Sequence, residues 1–288
     1  ILLIILGVFL FSCMDALAKH LVASTPALQV VWARYMVQAV LIIVILAPRG
    51  SKAPLRTARP FSHVIRALFQ VAATGFFFLS LGHIGLAEAT ALADINPVLI
   101  TLGAALLLGE RLTPARIIAV IASMIGALII LRPGAEVFSP AALLPLGCAV
   151  AYAGNALMTR YLGQSEPVWT SLFYGAVFGT LLLTCALPFV WQPIPQGQIW
   201  LFVLLGLIGT GAQTAIILAF SRSEAGLLAP FGYLGIIFAA GWSTAIYNQP
   251  PDAYTIIGAL VIIAAGLYVW ASTTLAAQKT TSAKPKSV

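Results

Sequence analysis

Asp15-Ala-Leu-Ala-Lys-His20 and Asn155-Ala-Leu-Met-Thr-Arg160 stand 140 positions apart and follow one pattern: a polar residue, Ala-Leu, an apolar residue and a polar pair. Ser24-Thr-Pro26 and Ser165-Glu-Pro167 come next in each half, in the same order. Ile125-Gly-Ala127 and Ala264-Ala-Gly266 then close the halves on small residues. Residues 1–132 and 139–272 are therefore two copies of one unit, with 133–138 as a linker and 273–288 as a polar, basic tail expected to be disordered.

Each copy is built from continuous apolar runs near twenty residues long. They fall at 1–22, 27–47, 62–84, 86–109 and 114–132, then at 139–162, 168–190, 198–221, 224–247 and 253–272. A helix needs about twenty such residues to cross the hydrocarbon core of a bilayer. The chain is 61% hydrophobic and 8% charged, against about 25% charged in a soluble domain. With so few charges the solvent for its surface is lipid, where backbone groups must pair within the chain. Barrel strands would alternate apolar and polar over about ten residues. These runs are longer and unbroken, so the expected fold is an all-α polytopic membrane protein of ten transmembrane helices. Five spans per copy is an odd number, so the second copy enters the membrane upside down. Inverted five-helix repeats that meet at a midplane site are a plan of secondary transporters.

The formal charge of +7 does not point to nucleic acid, because the cations sit in the connections between apolar runs. One side of the bilayer collects Arg49, Lys52, Arg56, Arg59, Arg66, Arg111, Arg116, Arg160, Arg222, Lys279, Lys284 and Lys286. The other collects Lys19 and Arg132, and Arg34 lies inside a span. The positive-inside bias then places both termini in the cytoplasm, with the lipid bilayer itself as the chain's first partner. Trp32, Trp169, Trp191, Trp200, Trp242 and Trp270 fall near span ends, as an interfacial belt requires. Cys13, Cys148 and Cys185 have no ligand spacing and are expected to be small buried hydrophobes.

Polar residues within the spans are the candidate site. In Ala93-Asp-Ile-Asn-Pro97, Pro97 removes a backbone donor and leaves the Ala93 carbonyl without its helical partner. Asp94 and Asn96 are thus expected beside a kink and an open acceptor, where they contact the substrate. The second copy has Leu228-Ala-Pro-Phe-Gly232 followed by Tyr233, so Pro230 keeps the helix-breaking device and the acid is lost. A carboxylate near mid-membrane is costly unless it serves a partner or a path. Asp15 and Lys19 share one helix face at i,i+4. Arg34 is expected either to neutralise Asp15 across the first two helices or to hold a substrate carboxylate with its fork of donors. Asn155 is the repeat mate of Asp15. Tyr174 and Gln213 could line an amphipathic cavity with Phe76-Phe-Phe78, although most of that run is expected to be lipid-facing or core; His20 and His83 are expected to be interfacial, and Glu110 to be a solvated or hinge acid. No nucleophile elbow, Walker loop or metal-ligand spacing occurs, so catalytic residues, metals and cofactors are not expected.

The stretch Gly85-Leu-Ala-Glu-Ala-Thr-Ala-Leu-Ala-Asp-Ile-Asn-Pro97, then Leu106-Leu-Leu-Gly-Glu-Arg-Leu112 and Ile125-Gly-Ala127, resembles the EamA module of the drug/metabolite transporter superfamily. The resemblance extends over both copies. The second departs from it in having Asn248-Gln-Pro-Pro251 where Gly-Glu-x-Leu is usual. Within the superfamily the chain looks most like amino-acid exporters of the YddG type. That resemblance implies a ten-helix basket around a central cavity and export of small metabolites, amino acids above all, from a bacterial inner membrane. Carriers of nucleotide sugars, phosphorylated sugars or lipid-linked substrates are the rival within the superfamily. They would call for several cations in the cavity, where the sequence offers Arg34. A membrane-embedded enzyme would need a convergent polar cluster at one interface.

Overall fold

The computed structural model describes residues 1–46, 57, 59–108, 113–132, 139–162, 168–222, 228 and 231–282. Its helices are α1 (Leu2–Val22), α2 (Ala27–Leu46), α3 (Pro60–Leu81), α4 (Leu86–Ala93), α5 (Asn96–Leu108), α6 (Pro114–Leu131), α7 (Leu143–Leu162), α8 (Val168–Ala186), α9 (Ile199–Arg222), α10 (Leu234–Ala245) and α11 (Ala253–Ser282). Helices are what apolar sequence must form in lipid, and the starts carry the expected punctuation. Thr113 accepts a bond from the Arg116 N–H with Pro114 behind it. Ser139 does the same for Ala141, and Asp252 for Thr255.

Eight of the helices are long and apolar enough to cross a membrane. The two expected spans that do not appear as single long helices are the fourth and the ninth. The fourth is split into α4 and α5 at Asp94-Ile95. The ninth is represented by the 12-residue α10, preceded by residues of which 223–227, 229 and 230 lie outside the described set. The final helix runs to Ser282, ten residues into the segment expected to be a disordered tail.

Packing between the copies is reciprocal. α1 lies on α9 while α3 lies on α7, so the first and third helices of each copy exchange partners. α2 packs on α8 and α6 on α11, each a helix against its own repeat mate. α4 meets α10 in the same way. A chain whose elements touch in such matched pairs is two inverted repeats around one pseudo-two-fold axis. The α6–α11 pair is the tightest of these crossings. A Cβ on Gly126 would stand 2.8 Å from the Gly258 carbonyl, so the backbones touch where a side chain would hold them apart.

Because α1, α4, α6 and α10 bring Lys19, Glu88, Arg132 and Ser243 to one end of the bundle, that end is called the Lys19 end. α3 and α8 begin at the opposite, Arg66 end. The main core lies between α1, α2, α3 and α4 and includes Leu21, Tyr35, Phe78 and Leu86, all fully buried. Phe77 and Phe78 belong to this core, as expected for most of that run, whereas Phe76 is exposed beside Gly147. Of the cysteines, Cys148 is buried as expected, but Cys185 is exposed on the outer face of α8.

Candidate functional site

Asp94 ends α4, and its backbone N–H still reaches the Thr90 carbonyl at 2.9 Å. The chain then steps through Ile95 and restarts at Asn96, where Pro97 supplies a preset φ for the new helix. The side-chain amide of Asn96 donates to the Ala93 carbonyl at 3.1 Å. The acceptor expected to lie open beside Asp94 is thus closed by the neighbouring residue. Asn96 holds the break, and Asp94 is the group left facing inward. Its Oδ2 is buried with no hydrogen-bond partner.

Around it stand residues from both repeats. Asp15 on α1, Cys148 and Tyr152 on α7, and Tyr233 before α10 are all within electrostatic reach of Asp94. Asp15, Asp94, Asn155 and Tyr233 are each half-buried in the middle of the bundle, and Tyr152 is 47% exposed. Ionisable groups at that depth are costly against hydrocarbon, which favours a position turned between the helices. Tyr233 aims its hydroxyl across Gly266 of α11, a contact that a side chain at 266 would abolish. Pro230 lies outside the described residues.

Arg34 does not form the expected ion pair with Asp15. The two interact through space, but Arg34 gives Nη1 to the Thr74 hydroxyl at 2.9 Å and keeps Nε buried and unpartnered. Tyr35 donates to the Gln70 carbonyl at 3.2 Å and holds Thr74 from the other side at 3.1 Å. Gln70 in turn reaches Gln213 on α9 at 3.5 Å. Lys19, one turn from Asp15, turns away from it to the carbonyls of Ile84 at 2.7 Å and Leu81 at 3.5 Å.

Tyr174 is not part of this group. It stacks on His63 at 5.1 Å and on Phe178 at 5.6 Å, near the start of α3. His63, Arg66, Gln70 and Thr74 recur every three or four residues and so share one face of α3, turned toward α2, α8 and α9. That face is legible in the sequence as a polar stripe, although Arg66 falls by position among the cations near the connections. His20 and His83 are exposed at the Lys19 end, and Glu110 lies outside the described residues.

At the Lys19 end a cleft of about 350 Å³ is lined by Lys19, Glu88, Arg132 and Asp252, among others. Arg132 ends α6 in the left-handed region, with φ 47° and ψ 55°, and from there pairs with Asp252 and covers the Tyr254 ring at 4.6 Å. Glu88 lies six residues before Asp94 on the same helix, about 9 Å nearer that end by helix rise. The cleft and the Asp94 group thus lie at two levels along one helix.

The sequence profile of the EamA-like transporter family matches residues 1–132 and 139–272, which is nearly the whole chain. The chain belongs to the EamA-like transporter family. It is similar to the pseudopaline exporter of Pseudomonas aeruginosa, 31% identical over 92% of this chain and 93% of that protein. It is also similar to a riboflavin transporter of Vibrio cholerae, 30% identical over 88% and 86% of the two chains. An S-adenosylmethionine uptake transporter of Rickettsia bellii is 26% identical over 90% and 88%. A crystal structure with 21% identity and a TM-score of 0.63 covers 96% of this chain and 98% of its own, which fixes the fold alone. As an EamA-like protein the chain is a transporter of small molecules.

Proposed function

We propose that this EamA-like protein exports neutral and aromatic amino acids and related zwitterions by alternating access, through a site between the inverted repeats. The observation that carries the reading is Asp94: a carboxylate oxygen buried without a partner at the one helix break described in full. A substrate ammonium would give it the missing donor. Asp15 adds a second negative group to the same field, and Arg34, with its unpartnered Nε, stands beyond Asp15 for the substrate carboxylate. Tyr152 and Tyr233 supply apolar ring surface for the rest of the molecule. The relatives work in both directions by their names. Export is taken with the exporter, whose identity of 31% exceeds the 26% of the uptake carrier.

In this reading the chain sits in a bacterial inner membrane with its ends in the cytoplasm, so the Lys19 cleft faces outward. The route would then run from the Arg66 end, past Asp94, to the cleft below Lys19 and Glu88. Purified protein in liposomes, offered a panel of labelled amino acids with and without a pH gradient, tests the function. Uptake or counterflow of neutral and aromatic amino acids is expected. Flux of riboflavin or of a nucleotide sugar without any amino-acid flux would replace the reading.

A further inference from the structure

Arg66 is a charge without a counter-charge among the described residues. It is 6% exposed, between α3 and α8. One Nη2 bond goes to the backbone carbonyl of Ser171, and Nε has no acceptor. Among the described residues the ion pair joins Arg132 to Asp252, and no described carboxylate pairs with Arg66. One turn along, Gln70 spends its amide N–H on Gln213 and leaves Oε1 buried without a donor. Facing both is Gly175 of α8. A Cβ there would come within 3.3 Å of Arg66 Nη2 and 3.1 Å of Gln70 Oε1. The absence of a side chain at 175 is what leaves the guanidinium its place.

A guanidinium cannot shed its proton to escape such a position, and it presents five donors where one carbonyl is on hand. An ionised group held away from water without its opposite is costly. No acid among the described residues meets Arg66, so the position is suited to an anion that arrives from outside. Arg34 is held by Thr74, eight residues along α3 from Arg66, or about 12 Å by helix rise. A carboxylate that leaves one arginine can next meet the other.

We propose that Arg66 is a second carboxylate subsite, on the route between the Asp94 site and the Arg66 end, and that a substrate carboxylate passes between Arg66 and Arg34. This deepens the zwitterion reading and rests on it for the substrate class. The subsite is specific for the carboxylate end of the molecule and indifferent to its ammonium.

The test is thermal unfolding of the intact purified protein titrated with phenylacetate, which has the carboxylate alone, and phenethylamine, which has the ammonium alone. Arg34→Gln is expected to keep a phenylacetate-dependent rise in the unfolding midpoint. Adding Arg66→Gln is expected to weaken the apparent phenylacetate affinity about tenfold, the scale of one charge-assisted contact, and to leave the phenethylamine response unchanged. Equal phenylacetate affinity in Arg34→Gln with and without Arg66→Gln overturns the subsite. So does complete loss of the response in Arg34→Gln alone. If Arg66→Gln yields no folded protein, Arg66→Lys in the same background must bind phenylacetate more weakly, since the ammonium lacks the fork, and unchanged affinity counts against the proposal. The two readings fail separately. Without the Arg66 subsite, wild-type amino-acid flux still stands, whereas an incorrect substrate class shows as absent flux with the Arg66-dependent phenylacetate response intact.

Discussion

The two repeats share a backbone and divide the chemistry. α1 and α7 are mates by sequence and by reciprocal packing, on α9 and α3 respectively. α1 carries Asp15 and Lys19, and α7 carries Asn155 and Thr159 at the matched places. Lys19 spans to the carbonyls of Leu81 and Ile84 in another part of the fold, while Thr159 returns its hydroxyl to Asn155 of its own helix at 2.8 Å. Where the first repeat has Asp94 at its broken helix, the second has Tyr233. Packing constrains both copies alike, because a pseudo-two-fold fold needs matched helix faces. Nothing in that packing needs matched charges, and a two-ended substrate is served better by unlike ones.

The largest expected effect separates Asp94 from Tyr233. Asp94→Asn keeps the shape and removes the charge that would meet an ammonium, so amino-acid flux should fall about tenfold to a hundredfold, the worth of a charged hydrogen bond. Tyr233→Phe removes a neutral hydroxyl at the matched place and should cost about fivefold at most. Both are read as initial rates in liposomes, beside size-exclusion profiles that check folding. Equal losses in the two variants would mean that the repeats share the site evenly, and the asymmetry would lose its functional meaning.

A smaller contrast concerns stability. Lys19→Met takes a buried, charged donor from two backbone carbonyls, and about 1–2 kcal/mol of stability should go with it. Thr159→Val touches an exposed hydroxyl bonded within its own helix and should stay within about 0.5 kcal/mol. Unfolding midpoints in detergent compare them. A neutral Lys19→Met would show that water in the cleft replaces the ammonium at no cost.

The repeat frame and the helical class were legible because both are properties of long windows: runs of apolar residues, their order, and the alternation of cations between connections. The broken fourth helix was legible in Pro97. The use made of the break was not, because it depends on a side-chain rotamer: Asn96 turns back onto Ala93 and closes the acceptor that proline opens. Asp15 and Arg34 are legible as charges inside the spans, but the ion pair expected between them does not form. Helix spacing cannot tell that Thr74 on a third helix lies nearer to the guanidinium than Asp15 does. Arg66 was missed for a related reason. Six residues into α3 it counts as a loop cation by position, and only the approach of α8 at Gly175 makes it an interior one.

The smallest expected effect runs against the general trend, since here the second repeat holds the charge. α6 and α11 are mates, and each begins on a capping side chain: Thr113 accepts from Arg116 at 3.4 Å, Asp252 from Thr255 at 2.8 Å. Slight burial works to raise the Asp252 carboxyl, but the bonds from Thr255 and the Arg132 guanidinium outweigh it and hold the group below the usual aspartate range. A folded value below the unfolded one means stability that is present above about pH 4, the ordinary aspartate value, and is lost as pH falls through the folded value. The Asp252 side chain is 43% exposed, so screening keeps the pair with Arg132 to a few tenths of a kcal/mol, with the helix cap adding about 1 kcal/mol. Asp252→Asn should therefore lower the unfolding midpoint slightly at pH 7, and the difference from wild type should vanish toward pH 3. Thr113→Val should lower it by an amount that does not change with pH, since no charge is lost. Matching pH profiles for the two variants would show that Asp252 acts as a neutral cap like its mate, with Arg132 held by the Tyr254 ring instead.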